Sequence, residues 1–450
     1  MKISSSIAFL GLSLACASSL LAQQYTIEDL GTLSATPTDG VRAAGINNRG
    51  HVHGENDRTA PGGVGIQQRS FWWADGLLTQ IAPPVAGSTW KGDLNDSDVC
   101  VGNYTFNSLD FRGYSWDAGV LTSMIVGVHN FTKPSAINVD GFLAGTFVSN
   151  TVVNLVFRNH AFVSRPDGVW LDLGTLGGMD SYGAALNDRN DVVGKARDQA
   201  DVFQAFLWSR NNGMAALSNL AGTFTEANDI NNFNVVVGRS KDASGNFQAT
   251  RWNAGAIQAL PTLGGLGGNA KAVNDFGEIV GNATNGSAQQ HACLWTNGFA
   301  TDLNAAIAPG SGWLLTGASD INELGEICGT GQLNGLQRAY KITPILNQGR
   351  LSGFQPGFAG RVNTLYGLGF TPNATVAFYA GRVAGSTITS CGATIGIGNV
   401  LWSTTTTADA EGRVELAVSI PRQAAGVAIL LQAVEPAVCL VSELCAQQLQ

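Results

Sequence analysis

The stretch Ala185-Leu-Asn-Asp-Arg-Asn-Asp-Val-Val-Gly194 decides the fold. An apolar run ends at Asn187, a residue type that tolerates positive φ stands three places on at Asn190, and two valines lead to Gly194. That order reads as strand, tight turn, strand. The unit recurs along the chain, with an Asn at 47, 95, 138, 187, 231, 274 and 322, each preceded by Ile, Leu or Val. Seven residues after each Asn comes a Gly: 54, 102, 145, 194, 238, 281 and 329. The third place after each Asn holds Gly50, Asp98, Gly141, Asn190, Asn234, Gly277 or Gly325, all types that reach the left-handed region at low cost. The Asn side chain is expected to cap its turn rather than to serve a ligand.

A third strand follows in every copy, seen in Gln-Ala-Phe-Leu-Trp at 204–208 and His-Ala-Cys-Leu-Trp at 291–295. Its second slot is always small (Ser70, Gly113, Ala161, Ala205, Ala249, Ala292, Ala339), which predicts a neighbouring sheet packed closely against it. Five copies end this strand in Trp, a row expected in the core. A glycine turn and a fourth strand come next, clearest as Asp-Leu-Gly-Thr-Leu at 172–176. Four strands of ordinary length with their connections need ~40–45 residues, close to the mean spacing of about 46 from Asn47 to Asn322. Repeated four-stranded antiparallel units of this length are expected to form a β-propeller, here with seven blades.

The seventh copy stops after three strands, at 338–342, and runs into Thr343-Pro344. An unmatched copy of the fourth strand lies at 25–33, where Asp29-Leu-Gly-Thr-Leu33 repeats residues 172–176. Residues 25–33 are therefore expected to complete the last blade. Closure of this kind removes an unpaired sheet edge, which would otherwise invite aggregation.

These motifs resemble the HAF-repeat family of bacterial extracellular proteins, named for the His-Ala-Phe run present at 160–162. The resemblance covers 25–342 through the Asp-Leu-Gly-Thr-Leu strand, the Asn turn with its glycines, and the Ala-aromatic-x-Trp strand. It implies an exported repeat protein and no particular activity. Only His160 and His291 keep the family histidine, while Gln or Arg stands elsewhere, so that histidine is not expected to be a shared catalytic group.

After Pro344 the repeat ends. Residues 345–360 read as a linker or first strand, and apolar stretches at 374–379, 413–420 and 426–434 predict strands of a small Ig-like β-sandwich over 345–450. The run Ala-Asp-Ala-Glu-Gly-Arg-Val at 408–414 and the segment 431–439 are similar to C-terminal modules of secreted planctomycete-type proteins. Cys100, Cys293 and Cys328 lie in predicted strands as small buried hydrophobes. Cys391, Cys439 and Cys445 cluster near the end; Cys391–Cys439 is the favoured disulfide, with Cys439–Cys445 as its competitor.

Composition agrees with an all-β exported chain. Glycine supplies 57 of 450 residues and only 13% are charged, too few for exposed helical faces. Residues 1–22 read as a signal peptide, with Lys2, an apolar core at 7–14 and cleavage after Ala22. That core is too short to span a bilayer, and Cys16 lacks the Leu three places before it that a lipoprotein site prefers. A formal charge of −8 with no basic run argues against nucleic acid.

The chain carries no nucleophile elbow, phosphate loop or zinc-protease motif. His51 and His53 alternate on one predicted strand without a third metal ligand, and the Asn-Asp turns carry too few carboxylates for calcium. No cofactor or metal is expected. Loop length separates the two ends of the repeat: the spacing from the Gly to the third strand is 15 in copies one and three and 9 or 10 elsewhere. The connection 304–317 is also long. Variation confined to one face points to recognition there, with Trp90 and Trp313 as aromatic candidates. The expected function is non-catalytic binding of an extracellular glycan, envelope component or protein. The alternative is a polysaccharide hydrolase or lyase, with Asp93, His129 and Asp320 gathered at a channel mouth.

Overall fold

The computed structural model describes residues 25–450 apart from 35, 37–38, 60–65, 85–86, 108–109, 127–130 and 154–155. The expected signal peptide and its cleavage point lie outside the described residues, as does His129. Among the described residues there are 38 strands, two 3-10 turns and no α-helix.

Backbone chemistry at each Asn turn sets the local structure. The residue three places after the Asn has positive φ in all seven copies, from 59° at Asn234 to 78° at Gly141. The Asn187 Oδ1 accepts from the amides of Arg189 and Asp191 at 3.0 Å, so the side chain caps its own turn as expected. The first strand then bulges, as between Gly183 and Ala185, where it opposes Gly194. A Cβ added at Gly194 would sit 2.0 Å from the Tyr182 carbonyl oxygen, and each of the other six glycines meets a first-strand carbonyl at 2.1–2.4 Å. Close approach at the bulge, beyond turn conformation, therefore requires these glycines.

Seven four-stranded antiparallel sheets result. In the fourth copy the strands are Gly177–Leu186, Val192–Asp198, Phe203–Ser209 and Gly213–Ala216. Six sheets use consecutive strands; the seventh combines Trp313–Ile321, Ile327–Leu333 and Leu336–Pro344 with Tyr25–Asp29. Tyr25 pairs with Pro344 and Asp29 with Tyr340, and Leu30 N donates to Ala339 O at 3.2 Å. The small third-strand slot is buried against the next sheet: Ala205 N donates to Thr225 Oγ1 and Ala161 N to Ser181 Oγ, each a residue of the following copy. The Trp row (73, 116, 208, 252, 295) is buried throughout.

After Pro344 a three-stranded sheet (Arg350–Gln355, Val362–Leu368, Val414–Ser419) faces a five-stranded one built around Thr375–Gly381 and Ala428–Glu435. Phe354, Leu365, Phe378 and Leu431 pack between them. Cys391 and Cys439 form the disulfide, with Cα atoms 5.9 Å apart, and Cys445 is a buried free thiol.

This C-terminal unit docks on the side of the repeats that carries the Asn turns. Leu324, in the seventh turn, packs on Tyr366 and Leu368. Arg49 binds Glu415 at 2.9 Å, Arg350 binds Glu278, and Arg361 binds Asp140. Glu326 is wholly buried and accepts from both terminal nitrogens of Arg413, from Asn322 and from Thr343. Burial alone would raise its carboxyl, but Arg413 and Lys341 pull it down to about 2.

Two outcomes follow from this architecture. A chain that begins at residue 36 loses the outer strand of the seventh sheet and should aggregate or melt without cooperativity; unchanged melting would contradict the role given to Tyr25–Asp29. Glu326→Gln leaves Arg413 buried without its counter-charge and should cost about 3–5 kcal/mol. In chemical denaturation the further change Arg413→Met should recover much of that loss.

Candidate functional site

The seven first strands converge on one cavity of about 210 Å³, to which every copy contributes residues. Its wall begins with the asparagines. Asn47 Nδ2 donates to Asn95 O at 3.0 Å, Asn95 to Asn138 O, Asn138 to Asn187 O, and Asn187 to Asn231 O. Asn231 donates to Asn274 O and Asn274 to Asn322 O, and Asn322 returns the series to Asn47 O at 2.9 Å. The next residue of each turn builds a second tier: Asn48 N donates to Asp96, Val139 N to Asp188, Asp188 N to Asn232, Asn232 N to Asp275, Asp275 N to Glu323, and Glu323 N to Asn48. Val139 in copy three offers no acceptor, and the tier is interrupted there.

Three further carboxylates stand two places before the Asn, at Asp93, Asp229 and Asp320. Asp93 accepts from the amides of Leu94 and Ile137, Asp229 from Ile230 and Val273, and Asp320 from Ile321 and Ile46. Each thus bridges its own strand to the next copy. Gly45 lies between Asp93 and Asp320: a Cβ there would be 3.0 Å from one and 3.6 Å from the other. Burial pushes Asp93 up to about 7 and Asp229 to about 6, with neighbouring carboxylates adding to both. Burial likewise raises Asp320 well above the aspartate range. The turn side of the cavity is lined by Gln355 from the C-terminal unit, beside Asp275.

Chemically this is a proton-holding, backbone-satisfying lining. Among the described residues no three His, Cys, Asp or Glu side chains are arranged to hold a metal. Asp93 and Asp320 do come together, but with Asp229 as the third member. The described histidines lie elsewhere. His51 pairs with Asp98 at 2.7 Å and meets Trp72 edge-on, while His53 is fully buried beside Tyr114. The two do not alternate on one strand, because the strand starts only at Val52 and His51 lies before it. His160 and His291 bind Asp172 and Asp302 across adjacent strands.

On the face opposite the turns, Trp90 and Trp313 are half-buried, Trp90 against Phe111 at 5.7 Å and Trp313 against Tyr340 at 6.0 Å. The extra residues of copy three mostly extend a hairpin, Leu143–Val153 with Val156–Ser164, rather than an open loop. The long connection into copy seven also folds inward, with Leu303, Ala306 and Ile307 in the core and Ala306 O accepting from Tyr25 N. Sequence reading missed an aromatic row on this face. Tyr182, Phe203, Phe224 and Phe247 follow one another at centroid spacings of 5.5–6.1 Å. Lys195, Arg197, Arg239 and Lys241 lie over these rings at 4.1–5.9 Å. The signal was present as Gly-Lys-Ala-Arg at 194–197 and Gly-Arg-Ser-Lys at 238–241, since no other copy has a cation at either place.

The chain matches no family model and no curated protein. Among solved structures it is similar to TolB from Acinetobacter baumannii, at 11% identity and TM-score 0.38, covering 68% of this chain and 64% of that one. It thus spans less than two thirds of the TolB chain. It is also similar to an acylaminoacyl peptidase from Pyrococcus horikoshii, at 12% identity and TM-score 0.44, covering 75% of this chain and 59% of that one. A third likeness is to a sialidase from Trypanosoma rangeli, at 6% identity and TM-score 0.33, covering 92% and 84%. No function is read from likenesses of this degree.

The raised aspartates give the cavity a pH signature. Asp93 and Asp229 hold protons in the folded chain that the unfolded chain releases near pH 4. Their contribution to stability is therefore complete below that pH and is lost as pH rises through 6–7. The melting temperature should fall by a few °C between pH 5 and 8. Asp229→Ala, a residue native to this position in copies three, four and six, should flatten that fall; an unchanged slope would contradict the assignment.

Proposed function

We propose that the chain is an exported seven-bladed β-propeller of the HAF-repeat type, residues 23–344, closed by its N-terminal strand and followed by an Ig-like β-sandwich at 345–450. Its role is recognition without catalysis. It binds a glycan, envelope component or protein through the face built from the second-to-third and fourth-to-first connections. One observation carries this reading: the C-terminal unit occupies the opposite, turn-bearing face and lines the cavity with Gln355, which leaves the connection face available. The aromatic row and its cations lie on that available face. In addition, the cavity carboxylates Asp93, Asp229 and Asp320 each spend their oxygens on backbone amides, as a structural lining requires.

A glycan array combined with a turnover assay on a panel of polysaccharides tests the reading. Retention of a ligand without product release is the expected result. Phe203→Ala, on the connection face, should weaken that binding about ten-fold, whereas Arg210→Ala, on the turn face, should leave it unchanged. Product release abolished by Asp93→Ala or Asp320→Ala would instead favour a hydrolase or lyase acting at the cavity.

A further inference from the structure

We propose that the groove between copies five and six, on the connection face, binds a carboxylated oligosaccharide. This deepens the reading of that face as a recognition surface and rests on it. The groove encloses about 620 Å³, within the ~300–1,000 Å³ of small-ligand sites. One wall is the run Gly264-Gly265-Leu266-Gly267-Gly268, in which a Cβ on Gly265 or Gly267 would clash with backbone oxygens at 2.5 and 2.7 Å. That wall therefore presents backbone almost bare of side chains to a flat ring. The facing wall ends in the Phe247 ring, the last of the aromatic row, which seats Arg239 over its face at 4.2 Å and so fixes that cation at the groove.

Charge selects the kind of sugar. The chain as a whole carries −8, yet no Asp or Glu lines this groove, while Arg239 and Lys271 do. Glu226, just outside, is shared between Lys195 at 2.9 Å and Arg239 at 2.7 Å, so one carboxylate faces two cations. Arg239 commits its Nε to Glu226 and keeps further guanidinium N–H groups for a ligand carboxylate. Lys271 makes no ion pair among the described residues; with the Asn269 amide turned to accept, its Nζ donates to Oδ1 at 3.0 Å. Protein atoms around Lys271 hold its ammonium below the usual lysine range; Glu226 counters this, while Arg239, Lys91 and Lys195 add to it. An incoming carboxylate supplies the counter-charge that the groove lining itself lacks.

The rest of the lining suits hydroxyls. Asn269, Asn282, Asn285 and Gln290 offer primary amides, each both donor and acceptor, with Thr284 between them. Two cations are too few to neutralise the dense phosphates of a nucleic acid against a net negative protein, and an amide-rich lining offers little to the apolar side chains of a peptide. A sugar acid matches both the sparse charge and the amide-rich lining.

Calorimetry on the full chain with tetragalacturonate, and with the same oligosaccharide after methyl esterification, tests this inference. The acid should bind at least ten-fold more tightly than its ester, and rising salt should narrow the gap. Lys271→Gln should weaken the acid about ten-fold with little effect on the ester, its melting temperature staying at the parent value. Equal affinity for acid and ester, indifference to Lys271→Gln, or no binding of either would overturn the inference. The wider reading stands apart from these outcomes, because a neutral glycan retained on the array and lost in Phe203→Ala would support it even as the carboxylate site failed.

Discussion

Each of seven asparagines does two things with one amide. Oδ1 caps its own turn, as in the bonds from Arg189 and Asp191 to Asn187, while Nδ2 reaches the carbonyl of the next Asn in the series. Buried backbone groups must be satisfied, and here the same side chain satisfies its own turn and its neighbour's. The spacing of the sheets about the cavity follows from that reach. Gln would overshoot, and Asp would lack the donor. The second tier and the Asp93, Asp229 and Asp320 bridges add to a junction the asparagines already define.

Electrostatics then explains how the two parts of the chain meet. The turns concentrate carboxylates around the cavity, and burial drives most of them toward their neutral forms. The C-terminal unit answers with arginines: Arg350 at Glu278, Arg361 at Asp140 and Arg413 at the buried Glu326. A planar guanidinium suits such burial better than an ammonium because it forms two parallel bonds to one carboxylate. Even the turn glycines take part, since a side chain at Gly50 would strike Arg413 and one at Gly325 would strike Arg350.

What the sequence disclosed was whatever geometry forces in all seven copies. The Asn, the positive-φ residue and the bulge-facing Gly repeat because each copy faces the same local constraint, and the unmatched strand at 25–33 followed by subtraction. Features present in some copies only were harder to read. Asp93 and Asp320 stand out by position, yet the same Asp-x-Asn pattern also marks Asp229, which joins them in the cavity. The pairing of Arg413 with Glu326 spans 87 residues and has no local signature. In copy three the extra length lies in the strands for a physical reason: residues added to an antiparallel hairpin can continue its ladder, as in Leu143–Val153, and spare backbone groups from seeking other partners.

The partner of Tyr25 is Pro344, so the first described strand cannot reach its place until more than 300 residues have followed it. At ~5–20 residues per second of synthesis, that is a wait of roughly fifteen seconds to a minute with both halves of the ladder incomplete. During that interval Leu336–Pro344 has not been made and Tyr25–Asp29 is an orphan β-segment able to pair with any nearby edge, another copy's included. The chain's biogenesis is thus most exposed at its beginning, and a holdase that masks a short extended peptide would serve it better than one that shields a collapsed globule.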